Sequence, residues 1–212
     1  MAAPFTFGRP AAAPTTPDRV PTRRPKPMSF LIHTHNAIFK TLDRLLGGWF
    51  LGLAARFVFA GVLFVYFFAS AMTKVGSGIF GFFQPSVGAY AQILPKVMEE
   101  VSYNTSAIAF FPYKLIVYAG TYMEFLLPIL IVIGLFTRLS ALAMIAFIAV
   151  MTYTDITGHG VDAATIGGLF DRDPSSLITD QRTLWVFVLL VLVLKGPGFI
   201  SVDALLGRWA RR

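Results

Sequence analysis

Residues 118–138 read YAGTYMEFLLPILIVIGLFTR. With Leu115, Ile116 and Val117 ahead of it, this run has the length and apolarity of a membrane-spanning helix, since crossing a hydrocarbon core takes about 20 helical residues. It nevertheless holds Glu124 near its middle and Pro128 one turn later. A charged side chain at the centre of such a helix costs about 2.5–3.5 kcal/mol on insertion scales, so an intramembrane carboxyl is a functional candidate from the outset.

Composition agrees with a membrane protein. The mean hydropathy is +0.68, and 56% of the 212 residues are hydrophobic against 14% charged, a balance that a water-soluble domain of this size does not keep in solution. Absence of cysteine excludes disulfides, thiol relays, thiolate zinc sites and cysteine-ligated clusters. The N-terminal stretch 1–27 is rich in Pro, Ala and Arg without the apolar core of a signal peptide, and reads as a retained disordered tail.

Four apolar segments follow from hydropathy, at 50–73, 115–136, 139–156 and 183–200. The last is the shortest: its unbroken apolar run covers only Thr183 to Leu194, and Gly196-Pro197-Gly198 would break a helix. Charge placement argues for counting it. With four spans, one side of the membrane carries twelve Lys and Arg against Asp18, Asp43 and Asp203, and the other carries five against seven acidic residues. That asymmetry puts both termini in the cytoplasm. It also gives the net charge of +7 a topological meaning, so no nucleic-acid partner is expected.

Between tail and first span, in 28–49, Leu31, Ile38, Leu42, Leu45 and Trp49 recur at helical spacing, which predicts an amphipathic helix lying on the membrane face. Segment 201–212 repeats the device with Leu205, Leu206 and Trp209, and Arg208 stands beside them for headgroups or a partner. Trp49, Arg208 and Trp209 are accordingly the expected lipid or partner contacts. The loop from Gly76 to Tyr113 is too apolar for a plain linker, and Tyr90 to Ser102 reads as a helix packed at the bundle mouth or the membrane surface. The predicted fold is thus an all-α integral membrane protein, a four-transmembrane-helix bundle (50–200) with flanking amphipathic interfacial helices.

The remaining span charges are Arg56, Lys74 and Asp155. Arg56 and Lys74 lie eighteen residues apart, about five full turns, and so share one stripe with Leu63, Phe67 and Ser70. Lys74 sits at the outer end, at about the level of Asp155, and the two are expected to form a structural ion pair, with snorkelling to the interface the plainer reading of Lys74. Glu124 lies ten residues beyond Lys114, about 15 Å deep, so it needs a partner or a proton. Arg56 is about 12 Å shallower and reaches Glu124 only if the helices tilt. Gly120, Thr121 and Pro128 on the same face let another helix approach, and Pro128, lacking an N–H, frees the carbonyl of Glu124.

Metal chemistry finds little support. Asp155, His159 and Asp162 have the i, i+4, i+7 spacing of ligands on one helix face, but Gly158 and Gly160 argue for a turn there, and His33 and His35 point apart on a helix. A metal site is not expected. What the residues do allow is a small apolar pocket with a carboxyl, a cation and hydroxyls, which suits a quinone: its ring carbonyls need donors, its reduction needs protons and its tail needs an apolar slot. Arg56, Tyr122 and Glu124 are the expected ligand-binding side chains, and Glu124 the candidate catalytic, proton-handling group.

Several motifs taken together resemble the DoxX/DoxD family: Arg56 through Lys74 in the first span; Glu124 with Leu127-Pro128 and then Gly134-Leu-Phe-Thr-Arg138-Leu-Ser-Ala; and Lys195-Gly-Pro-Gly-Phe-Ile-Ser-Val-Asp203-Ala-Leu-Leu. The resemblance covers about residues 50–206, and Arg56, Lys74, Glu124 and Arg138 are the positions that match. It implies a four-helix protein of the bacterial inner membrane. Relatives include small subunits linked to quinol oxidation or thiosulfate:quinone oxidoreduction and others that assemble with soluble redox enzymes. The basic N-terminal extension and the long 76–113 loop exceed the compact family pattern and point to further membrane subunits as partners. The expected role is therefore an accessory subunit of a larger membrane redox or energy-transducing complex, with a quinone-binding oxidoreductase component as the alternative.

Overall fold

The computed structural model describes residues 27–78 and 80–212, so the expected disordered tail lies outside the described residues. Every regular element among them is helical. Helix α1 (Pro27–Leu46) straddles the boundary at Lys40 and Thr41 between two compact units. The second unit holds α2 (Phe50–Met72), α3 (Val87–Ile93), α4 (Pro95–Glu100), α5 (Leu115–Ile133), α6 (Thr137–Tyr153), α7 (Ala163–Ile166), α8 (Thr179–Lys195) and α9 (Val202–Trp209). Three helices are long and apolar enough to cross a membrane: Phe50–Met72, Phe110–Ile133 and Thr137–Gly158. This is the architecture of a chain compatible with a multi-pass membrane protein.

Four helices form the bundle in a ring. α2 packs on α5 and α8, and α6 packs on the same two from the other side. They share an apolar core: Ala55, Phe59, Leu63 and Phe67 of α2 meet Leu127 and Ile131 of α5, Ala141, Met144 and Ile148 of α6, and Leu189 and Leu192 of α8. The four-residue steps Ala55, Phe59, Leu63, Phe67 put one stripe of α2 inward, which coincides with the anticipated Arg56–Lys74 stripe at Leu63 and Phe67.

Turn chemistry sets the antiparallel order. α5 stops at Gly134, whose φ of 72° places it in the left-handed region that glycine adopts without steric penalty. The N–H of Gly134 bonds to Ile131 O at 3.2 Å and that of Leu135 to Leu130 O at 3.0 Å, the paired closure of a Schellman motif. Only three residues then separate α5 from α6, so the two must lie side by side and run in opposite directions.

α8 differs from the expected 183–200 at both ends. It begins at Thr179, because Ser176 and Asp180 hold each other reciprocally: Ser176 N–H donates to Asp180 Oδ2 at 2.9 Å, and Asp180 N–H donates to Ser176 Oγ at 3.1 Å. It ends at Lys195, since Gly196 and Gly198, with φ of 80° and 78°, turn the chain across the start of α2. The predicted helix at 90–102 is likewise two helices. Pro95, lacking an N–H, cannot continue α3 but serves well as the first residue of α4. Ala89, Tyr90, Met98 and Ile108 of this region bury themselves against Val117 of α5. Burial raises the Tyr90 phenol above its ordinary range.

Candidate functional site: an apolar cleft floored by two ion pairs

The bundle carries charge at both ends, and the two ends differ in kind. At the end bearing the α5–α6 turn, Arg56 and Asp203 act as a clasp. Arg56 Nε donates to Ile131 O at 3.1 Å and its Nη2 to Val132 O at 2.5 Å, while Nη1 donates to Pro197 O at 2.9 Å and to Ile200 O. The guanidinium thus binds the exposed carbonyls at the C-terminus of α5, where a cation is favoured, and ties them to the turn after α8. Asp203 completes it from α9: Oδ1 accepts from Phe136 N–H at 2.7 Å, and Oδ2 from Thr137 N–H and Oγ1 at 2.9 and 2.8 Å. A carboxylate at the N-terminus of α6 is the complementary placement. The three stretches around Arg56, Gly134 and Lys195–Asp203 are therefore one structural unit.

At the other end lie the groups with chemical potential. Lys74 is buried and its ammonium stands 2.8 Å from Glu124 Oε2, with side-chain exposures of 8% and 3%. Lys74 Nζ also donates to Ser70 Oγ at 2.9 Å. Arg182 of α8 pairs with Asp155 and donates to Thr152 Oγ1 at 2.7 Å. The expected Lys74–Asp155 pair is therefore corrected to two pairs with exchanged partners. The reason is the tilt of side chains toward the N-terminus of their helix. Lys74, at the C-terminal end of α2, is aimed back into the bundle, whereas Arg182, in the first turn of α8, is aimed outward toward Asp155.

The same tilt separates the predicted ligand-binding trio. Arg56 lies near the start of α2 and leans away from the midplane into its clasp, while Glu124 leans toward the start of α5 and so toward Lys74. Tyr122 points elsewhere again: its hydroxyl donates to Phe82 O at 2.8 Å and pins the 76–85 loop. That loop is closed by a bridge between Val75 and Pro85 and by the Gly76 N–H, which donates to the carbonyls of Gly81 and Gln84. Of Arg56, Tyr122 and Glu124, it is Glu124 that lines the cavity between α5 and α6.

That cavity measures about 510 Å³ and lies between α5 and α6 on the Lys74 side, within the usual range for small-molecule sites of roughly 300–1,000 Å³. Its walls are Ile116, Ala119, Gly120 and Met123 on one helix and Ala143, Ala146, Phe147 and Val150 on the other. The small side chains Ala119, Gly120, Ala143 and Ala146 leave the space of the cavity, and a Cβ on Gly120 would already meet Ile93 Cδ1 at 3.0 Å. The floor holds Ser70, Lys74, Glu124, Asp155 and Arg182, with Tyr66 beside them. Glu124 Oε2 and Arg182 Nε are buried atoms without an aligned hydrogen bond, so each has capacity for one more polar contact. Gln92 and His159 border the cavity near the surface, where His159 Nε2 lies 3.0 Å from Gln92 O.

The other predicted residues take structural places. Asp155 and His159 border the cavity, but Asp162 caps α7 through Thr165 N–H at 2.8 Å, and those hydrogen bonds hold its carboxyl below the ordinary range. No cluster of three potential metal ligands occurs among the described residues. Trp49 donates from Nε1 to Leu45 O at 2.7 Å and packs edge-on at 4.9 Å from the ring of Phe199. Arg208 and Trp209 stand exposed on α9. Sequence reasoning missed Arg182, Ser70 and Asp203 as partners. Arg182 had a signal, being an arginine at the apolar boundary of α8 on the same side as Asp155. No protein family, curated protein or solved structure matches this chain.

Proposed function

We propose that the chain is a multi-pass membrane protein of the bacterial inner membrane, of the DoxX/DoxD kind, that holds the head of a lipid-soluble quinone in the α5–α6 cleft. One observation carries this reading: a buried carboxylate and ammonium, Glu124 and Lys74, form the floor of a cleft whose walls are apolar and whose side opens between Ala119, Met123, Ala146 and Val150. A quinone ring has acceptors for Lys74 and Arg182, and its tail leaves sideways among the lipid-facing residues of α5 and α6. Glu124 is the proton-handling group, and lipids cover the outward faces of α5 and α6.

In this reading α8 is the fourth span. At 17 residues it is about 25 Å long, and a local thinning of the bilayer with snorkelling Arg182 and Lys195 accommodates the shortfall from about 30 Å. α1 and α9 then lie on the cytoplasmic face with the basic termini. The protein is purified from membranes in mild detergent and extracted with organic solvent. Quinone at near one per chain in the wild type and its loss in Glu124→Gln support the reading, while wild-type protein free of quinone overturns it.

A second reading, an accessory subunit of a larger redox complex with other membrane subunits or a soluble redox enzyme as partners, is favoured by the exposed aromatic side chains Phe80, Phe83, Phe110, Phe111 and Phe170 on the connecting loops. Co-isolation of a stoichiometric set of subunits is its test.

A further inference from the structure

Polar groups around Glu124 are distributed on one side only. Toward the α5–α6 turn, the next inward positions are Leu127 and Ile131, both within the apolar core of Phe59, Leu63, Met144, Ile148, Leu189 and Leu192. That plug has no hydroxyl, amide or charge, and close-packed apolar interiors hold no water. Beyond it the Arg56–Asp203 clasp closes the end. In the opposite direction the cleft passes Ser70, Lys74 and Thr154, then Asp155 and Arg182, and reaches Gln92 and His159, which are exposed. The titratable and charged groups facing this route are Lys74 and Tyr66 from α2, Asp155 and His159 from α6 and its continuation, and Arg182 from α8.

We propose that the cleft is a one-sided proton route, by which Glu124 exchanges protons with the aqueous phase at the Asp155–Arg182 end and with no other compartment. A hydrated proton reaching the cleft floor gives up its proton to the Glu124 carboxylate, one O–H bond breaking as the carboxyl O–H bond forms and a neutral water being left, with no change in electron count. Glu124 lines the cleft with Lys74 2.8 Å from its Oε2, so the carboxyl borders the route while keeping its ammonium partner. The proposal rests on the reading that the bundle spans a membrane, but not on quinone binding, so a protein free of quinone leaves it standing.

The chain has no cysteine, so single cysteines report on the full-length native protein. Ser175→Cys and Ala210→Cys mark the two ends in oriented vesicles. Ala143→Cys and Ala119→Cys probe the cleft, the second standing in if the first fails to fold, and Ile131→Cys probes the plug. With a small cationic methanethiosulfonate, the cleft cysteines should react at least tenfold faster from the side that labels Ser175→Cys, and Ile131→Cys from neither. Equal rates from both sides, faster labelling from the Ala210 side, or labelling only by a membrane-permeant reagent overturns the proposal.

Discussion

Lys74, just past the end of α2, and Glu124, at the middle of α5, meet at 2.8 Å with 8% and 3% of their side chains exposed. Such a pair gives little net stability, because desolvating two ions offsets most of their attraction, but breaking it strands a buried charge at about 3–5 kcal/mol. Lys74→Met and Glu124→Leu should each lower the detergent-solubilised thermal midpoint by several degrees. The double variant should recover most of the loss. Unfolding followed by tryptophan fluorescence reads this directly, and a double variant as unstable as the sum of the singles would show that the two side chains do not act on each other.

The parts of this arrangement were unequally legible in the sequence. Hydropathy gave the long helices to within a few residues, because burial in apolar surroundings is a property of whole segments. Glu124 stood out by depth alone. Its partner did not, because spacing says which residues share a stripe but not where a long side chain ends. Applying the N-terminal lean of helical side chains to Lys74, Arg56 and Arg182 would have assigned all three, since each lies near a helix end where the lean decides between inward and outward. The end of α8 at Lys195 was hidden for another reason: Gly196 meets Gly52, far away in the chain, a contact that no local pattern announces.

Arg182 and Asp155 supply the second pair, and its identity is testable by charge exchange. Arg182→Asp should destabilise by about 1–3 kcal/mol, as expected for a partly exposed ion pair left facing a like charge. Adding Asp155→Arg should restore most of that. Lys74→Asp combined with Asp155→Lys should restore nothing, because those side chains do not meet. Thermal midpoints of the three variants decide between the two pairings.

Arg56 binds carbonyls, not a ligand, and its replacement should act on the chain around it. Arg56→Met leaves the carbonyls of Ile131, Val132, Pro197 and Ile200 without their donor, a loss on the order of 3 kcal/mol for charge-assisted bonds. Lys in its place should rescue only partly, since a single ammonium cannot span both groups of acceptors as a planar fork does. Tryptic cleavage after Lys195 should accelerate in Arg56→Met, while any quinone bound to the purified protein should remain. Loss of quinone with an unchanged cleavage rate would return Arg56 to the binding site.

Gly52 is where the turn after α8 crosses α2 most closely. A Cβ there would lie 2.3 Å from Gly196 O and 2.9 Å from Gly198 N, both backbone atoms that have no free rotation with which to move aside. Gly198 is similarly confined, its own Cβ position being 2.8 Å from Trp49 O. Gly52→Ala must therefore push the 196–201 turn outward, weakening the Arg56 contacts to Pro197 and Ile200 that hold it. The expected cost is about 1–3 kcal/mol, the range for overpacking a filled site. Gly61 provides the control within the same helix: nothing lies within 4 Å of its Cβ position. Gly61→Ala should be neutral or stabilising by about 0.5–1 kcal/mol, because alanine restricts the unfolded chain and favours helix. Paired thermal melts of the two variants measure the difference, and equal midpoints would mean that α2 and the turn do not pack as closely as their backbones indicate.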